Sequence, residues 1–190
     1  MVMEICVFCS SSNNIDREYY IEAETLANLI CTHDHNLVYG GTTVGLMGVV
    51  AARVKASNRK VTGVIPQLIY EKGIGYQEAD ELIVTKNMRE RKAAMHTYSD
   101  AFVALPGGFG TLEEVMEVIT LKQLQYHNKP IVLINSRGYF NSLDNFFEHM
   151  YRERFASEKF RSLYHFANNA GEAIEYLSQY QPNVLQNKWE

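Results

Sequence analysis

The regular alternation of short apolar runs with longer helical patterns restricts this chain more than any other feature. Residues 5–8, 37–39, 61–65, 82–85, 101–105 and 131–134 are rich in β-branched side chains and lack in-out alternation, which suits strands buried on both faces. Helical periodicity fills most of the intervals, at residues 17–32, 44–56, 88–98 and 111–125, and recurs at 139–155 and 171–178. This order predicts βα units and therefore an α/β fold, a doubly wound, mostly parallel sheet with helices on both faces. Neither a repeat nor a Pro/Gly-rich linker interrupts it, so residues 1–180 are expected to form one domain and residues 181–190 a frayed C-terminal tail. A chain of this length buries roughly 70% of its unfolded surface and needs no disulfide or metal staple.

Charge and cysteine content narrow the function. The 18 basic and 22 acidic side chains leave a net charge of −4, which disfavours bulk nucleic-acid binding while allowing a local site for a small anion. No run approaches the ~20 apolar residues of a membrane span, and the segment from Met1 to Cys9 lacks the basic start of a secretory signal. The odd count of 3 cysteines fits a reducing cytoplasm. Cys6 and Cys9 form a C-x-x-C, but residues three apart on a strand point to opposite faces, so a buried pair of small hydrophobes is expected rather than a zinc or redox site. The 6 histidines fall in no metal spacing and read as surface or capping residues.

In an open doubly wound sheet, ligands bind beyond the carboxyl ends of the strands. Small polar or glycine residues fill three such places, at 10–13, 40–48 and 106–111. The third is the sharpest, because a buried strand runs through Pro106-Gly-Gly-Phe-Gly-Thr111 directly into a helix. Glycines let backbone N–H groups crowd a ligand, and a helix start adds free donors and a positive dipole end. A phosphate needs those features; a merely tight strand–helix connection is the other reading. No lysine follows the glycines, so this is not a Walker loop, nor is it G-x-G-x-x-G. Thr111 and Glu114 also spell a capping box. Yet Glu113 and Glu114 stand where a bound anion would be repelled unless one of them has a task. In the second loop Thr42 or Thr43 is expected to cap the following helix, with Gly45 and Gly48 allowing close packing.

Residues 87–95 form another constellation. Asn87 is placed to cap a helix, with Glu90 three residues on. Met88, Arg91, Lys92 and Met95 then share one face. Two cations on a methionine face either snorkel to water or form a wall toward an anion, where Arg91 would also fix Glu114. Tyr139, Phe140, Phe146 and Phe147 read as core packing or a subunit contact.

Pro106-Gly-Gly-Phe-Gly-Thr-Leu-Glu-Glu114 resembles the PGGxGTxxE motif of the LONELY GUY family, the cytokinin riboside 5′-monophosphate phosphoribohydrolases. Met88-x-x-Arg91-Lys92 resembles that family's MxxRK element, residues 7–11 its FCGSS loop and residues 40–48 its GGGxxGLMG loop. The likeness runs from residue 5 to about residue 155. It implies a Rossmann-like homodimer that hydrolyses the N-glycosidic bond of adenine-type nucleoside 5′-monophosphates to free base and ribose 5-phosphate, with neither metal nor cofactor. It implies Arg91 and Glu114 as the catalytic pair, and Met88, Lys92, Gly107, Gly108, Phe109, Gly110, Thr111, Glu113, Thr120 and Ser10 as substrate contacts. The expected partner is a small nucleotide in the cytoplasm, not nucleic acid or membrane. Ser10 stands where the family usually has Gly, Thr42 replaces the third glycine of the second loop, and Gly73 lies where many members carry an acidic contact, with Glu71 the nearest substitute. The family was long labelled lysine decarboxylase, but no lysine here sits in a recognisable pyridoxal phosphate context. A non-catalytic nucleotide or cofactor carrier of the same fold is the alternative.

Overall fold

The computed structural model describes residues 2–182. Seven strands, β1 (Glu4–Phe8), β2 (Asn36–Tyr39), β3 (Val61–Pro66), β4 (Glu81–Thr85), β5 (Ala101–Ala104), β6 (Ile131–Ile134) and β7 (His165–Ala167), form one sheet in the order β4-β3-β2-β1-β5-β6-β7. Every neighbouring pair is parallel. The connecting helices are α1 (Arg17–Thr32), α2 (Gly45–Ala56), α3 (Gln67–Tyr70), α4 (Met88–Thr97), α5 (Phe109–Gln123), α6 (Asn141–Arg152) and α7 (Ala170–Gln179). The expected α/β, Rossmann-like architecture is present. No helix among the described residues is long and apolar enough to cross a membrane.

The side-chain period of two along β1 builds both layers at once. Ile5, Val7 and Cys9 pack with Leu26 of α1, Val50 of α2 and Ile174 of α7. Cys6 and Phe8 pack on the other face with Met95 of α4, Val115 of α5 and Phe147 of α6. The two cysteines therefore lie on opposite sides of the sheet, free and buried. Each fully buried Ile, Leu or Phe contributes about 1.5–3 kcal/mol, so central β1 anchors the whole molecule. The chain winds outward from β1 to β4, returns through α4, and winds the other way from β5 to β7. The switch point between β1 and β5 is where the loops following them separate and leave a crevice.

Some expectations need correction. β7 was missed because three residues are too short for a periodic signal, and α3 was missed for the same reason. Helix α5 begins at Phe109 rather than at 111, because Gly108 supplies the extended cap residue. The histidines are not all surface or capping groups. His35 is buried, and the His96 ring stacks on Phe102 at 5.2 Å with the His127 ring edge-on to it at 4.6 Å. Burial pushes His127 down to about 4, so it is neutral near pH 7. Of the expected tail, residues 183–190 lie outside the described residues.

Candidate active site

Beyond the carboxyl ends of β1 and β5 lies a cleft of about 520 Å³. Ser10 and Asn13 line it from the loop after β1, Gly40 and Met47 from the turn into α2, and Ile69, Lys72 and Ile74 from the α3 segment. Arg91 enters from α4, and Gly108, Phe109, Gly110, Thr111 and Glu114 from α5. The resemblance pointed to this segment through Gly73 and Glu71, but the residues that line the cleft from it are Ile69, Lys72 and Ile74, which no motif singled out. Gly73 has φ +72 and no atoms within 4 Å of an added Cβ, and Glu71 accepts from Gln67 at 2.8 Å, whereas Lys72 faces the cleft.

The start of α5 is open. Its cap residue Gly108 has no side chain to offer, and the first protein-bound amide is Leu112, which donates to the Gly108 carbonyl at 3.1 Å. Among the described residues, the N–H groups of Gly108, Phe109, Gly110 and Thr111 have no protein acceptor. Those four orphan donors are what the positive end of a helix presents to an anion. The capping box that Thr111 and Glu114 also spell does not form. Thr111 sits at the third helical position with its hydroxyl packed over Gly107, where a Cβ would come within 2.1 Å of Oγ1. Glu114 is thus released from any capping task.

Helix α4 supplies its partner. Asn87 caps that helix as expected, accepting from the amides of Arg89 and Glu90 at 3.0 Å. One turn on, Arg91 is buried. Its Nε donates to the Val64 carbonyl at 3.1 Å and its Nη1 to Glu114 Oε1 at 2.5 Å. The guanidinium lies against Gly40, where an added Cβ would fall 2.1 Å from Nη2. Snorkelling is therefore excluded for Arg91, whose whole side chain is 9% exposed and whose head is bonded inside the protein. Burial raises the Glu114 carboxyl above its ordinary value, while the charge and hydrogen bond of Arg91 pull it back down. Cys9 shares the floor of the cleft, and burial holds its thiol far above the usual range, so it is not a nucleophile at neutral pH.

Lys92 behaves differently. From α4 it pairs with Glu113 and, at 2.9 Å, with Glu117 of α5, outside the cleft that holds Arg91. Of the residues that the resemblance implied, Ser10, Arg91, Gly108, Phe109, Gly110, Thr111 and Glu114 come together in one cleft. Gly107 lies directly behind it, bonded through its carbonyl to Tyr139. Met88 is exposed on α4, and Lys92 and Glu113 pair between α4 and α5 outside this cleft. Thr120 is on the far flank of α5, in a groove with Met116, Phe147 and Phe155. Its hydroxyl donates to the Met116 carbonyl at 2.7 Å.

The start of α2 is partly closed, with two of its first-turn amides claimed by the β1 loop. The Gly45 amide donates to Asn13 Oδ1 at 2.8 Å and the Leu46 amide to the Ser10 carbonyl at 2.9 Å. Neither Thr42 nor Thr43 caps this helix, contrary to expectation. Thr42 bonds toward Met47 Sδ, and Thr43 donates to the Ile74 carbonyl at 3.2 Å. The extended Val44 brings the amides within reach of the β1 loop, which satisfies them instead. Among the described residues, no group of three His, Cys, Asp or Glu is placed to hold a metal ion.

The family described as "Possible lysine decarboxylase" matches residues 47–177. Cytokinin riboside 5′-monophosphate phosphoribohydrolase LOG4 of Arabidopsis thaliana is 42% identical over 178 residues, covering 94% of this chain and 83% of that protein. Its LOG7 counterpart is 43% identical, covering 94% and 82%. In rice, the probable phosphoribohydrolase LOGL6 is 41% identical over 190 residues, covering 98% and 76%. Among solved structures, the molybdenum cofactor carrier protein of Chlamydomonas reinhardtii superposes with a TM-score of 0.71 at 23% identity, over 94% of this chain and 98% of that one. The molybdenum cofactor binding protein of Rippkaea orientalis gives 0.70 at 20%, over 94% and 97%. At such identities the structural likeness is one of fold.

Proposed function

Because this chain belongs to the LONELY GUY family of cytokinin riboside 5′-monophosphate phosphoribohydrolases, we propose that it adds water across the N-glycosidic bond of adenine-type nucleoside 5′-monophosphates, releasing free base and ribose 5-phosphate. One observation carries the assignment of roles. A buried carboxylate, Glu114, locked by Arg91, stands one helical turn from four unclaimed amides in the same cleft.

The amides of Gly108, Phe109, Gly110 and Thr111 receive the 5′-phosphate, which brings about −1.5 to −2 charges at pH 7. That anchorage sets the ribose beside Glu114. Cleavage passes through an oxocarbenium-like state. The carboxylate stabilises that cation and orients or deprotonates the attacking water. Arg91, fixed at Val64 and Glu114, keeps the carboxylate aimed and its uncommitted Nη2 toward the substrate. Lys92 neutralises Glu113, so the phosphate meets little repulsion from the helix that holds it. A carrier of the same fold has no use for a buried carboxylate pressed against its ligand.

The reading extends to a homodimer through the groove between α5 and α6. Thr120 and the exposed Phe155 lie there, away from this chain's own cleft. A second copy would bring Thr120 to substrate, and light scattering at assay concentration tests this. For the reaction itself, the test is chromatographic release of base from AMP, from isopentenyladenosine monophosphate and from the matching nucleosides. Release is expected from the monophosphates alone, and Glu114→Gln is expected to lower turnover on the order of 10²–10⁴-fold with nucleotide binding largely kept. Near-normal turnover in that variant would sink the assignment.

A further inference from the structure

The glycine turn is pinned from outside by a residue that is neither core nor cleft. Tyr139 donates from its hydroxyl to the Gly107 carbonyl at 2.7 Å. The turn between β6 and α6 delivers it there. Arg137 and Gly138 both adopt positive φ, at 57 and 71, and Asn135 Oδ1 accepts from the Phe140 amide at 2.6 Å. The Tyr139 ring is held edge-on by Tyr19 at 5.9 Å and by Phe140 at 5.1 Å.

The Gly107 carbonyl and the Gly108 amide are two ends of one peptide plane, and in a trans peptide they point in opposite directions. Gly108 lines the cleft and Gly107 does not. A bond that holds the carbonyl outward therefore holds the amide inward. This peptide is flanked by glycine on both sides, so its own side chains place almost no barrier on a flip. A flipped plane would turn a carbonyl oxygen toward the anion in place of a donor. The neighbouring Pro106 carbonyl is already tied to the Ser10 amide at 3.3 Å, which leaves the 107–108 plane as the element needing a lock.

We infer that Tyr139 is a positioning residue of the anion site, whose hydroxyl keeps the Gly107–Gly108 peptide with its N–H aimed at the substrate's phosphate. The inference rests on the reading that this turn receives the 5′-phosphate. Tyr139→Phe removes the hydroxyl and keeps the ring packing. In the full chain, its KM for AMP and its Kd for ribose 5-phosphate and for inorganic phosphate are expected to rise on the order of fivefold, the factor carried by one hydrogen bond of ordinary net worth. Turnover number should stay within about twofold, and inhibition by the dephosphorylated nucleoside should not change. The amide resonance of Gly108, which should move when phosphate is titrated into the wild type, should move less in the variant. Unchanged KM and Kd would overturn the inference. An equal loss toward nucleoside and phosphate would also overturn it, since that marks general loosening. Failure of the wild type to bind either phosphate probe would remove the nucleotide reading along with it, whereas a wild type that binds beside an unaffected variant removes the role of Tyr139 alone.

Discussion

Two glycine-rich turns run from strand to helix on the same edge of this sheet, and they are built for opposite ends. At the start of α2 two of the first-turn donors are spent inside the protein, the Gly45 amide on Asn13 Oδ1 and the Leu46 amide on the Ser10 carbonyl, whereas at the start of α5 none is. Gly45 there has φ +59, and a Cβ would come within 2.5 Å of the Ser10 carbonyl oxygen. At the start of α5 the donors are free, and a Cβ on Gly108 or Gly110 would meet nothing within 4 Å. Glycines make room in both turns, for backbone in the first and for a ligand in the second. The difference teaches that glycine spacing alone does not define an anion site. What defines it is which partner claims the amides.

Substitution by alanine should separate the two turns most widely. Gly45→Ala combines a disfavoured backbone with a backbone clash and is expected to destabilise the chain by about 2–4 kcal/mol, read from chemical denaturation. Gly110→Ala, inside a helix and facing open space, should raise stability by roughly 0.5–1 kcal/mol. It should nonetheless raise KM for the nucleotide roughly tenfold, since the methyl occupies the ligand's place. Unchanged KM in Gly110→Ala, or an unharmed Gly45→Ala, would erase the contrast.

A smaller effect comes from pH. Burial lifts the Glu114 carboxyl above its ordinary 4.5, so the folded chain binds that proton more tightly than the unfolded one. Its contribution to stability is full below about 4.5 and is lost as pH rises through the raised value. Activity needs the carboxylate and rises over the same window. The expected outcome is that, as pH rises through this window, the wild type loses stability relative to Glu114→Gln while its kcat/KM rises. The difference between the two proteins separates Glu114 from Asp16, Asp80, Glu148 and Glu172, whose lowered carboxyls make stability rise with pH. A wild-type-minus-variant stability difference that does not fall as pH rises would place the ionisation elsewhere.

Much of this was legible in the residues. Six of the seven strands follow from apolar runs, because burial on both faces demands continuous Val, Ile and Leu. Arg91 and Glu114 were singled out by motif, and Asn87 by capping chemistry. The boundary of α5 was not legible, since Thr111 and Glu114 satisfy the capping-box pattern as well as they satisfy the real arrangement. The extended Gly108 starts the helix two residues earlier, and Arg91, distant in sequence, takes the Glu114 carboxylate. Tyr139 was read as core or subunit contact because an aromatic on an amphipathic stretch says nothing of a hydroxyl reaching 32 residues back along the chain. The closure of α2 by Asn13 is hidden for the same reason, being a contact between loops.

Ser10 engages both of those turns. Its amide meets the Pro106 carbonyl, its own carbonyl receives the Leu46 amide, and its hydroxyl accepts from the Ser12 amide at 3.0 Å. In the language of hydrogen exchange, this residue divides the cleft into two kinetic classes. The Leu46 amide can trade its proton only when the floor itself opens, with the sheet. The amides of Gly108–Thr111 trade theirs at solvent rates until an anion covers them, so protection at those positions reports occupancy of the site and nothing of folding.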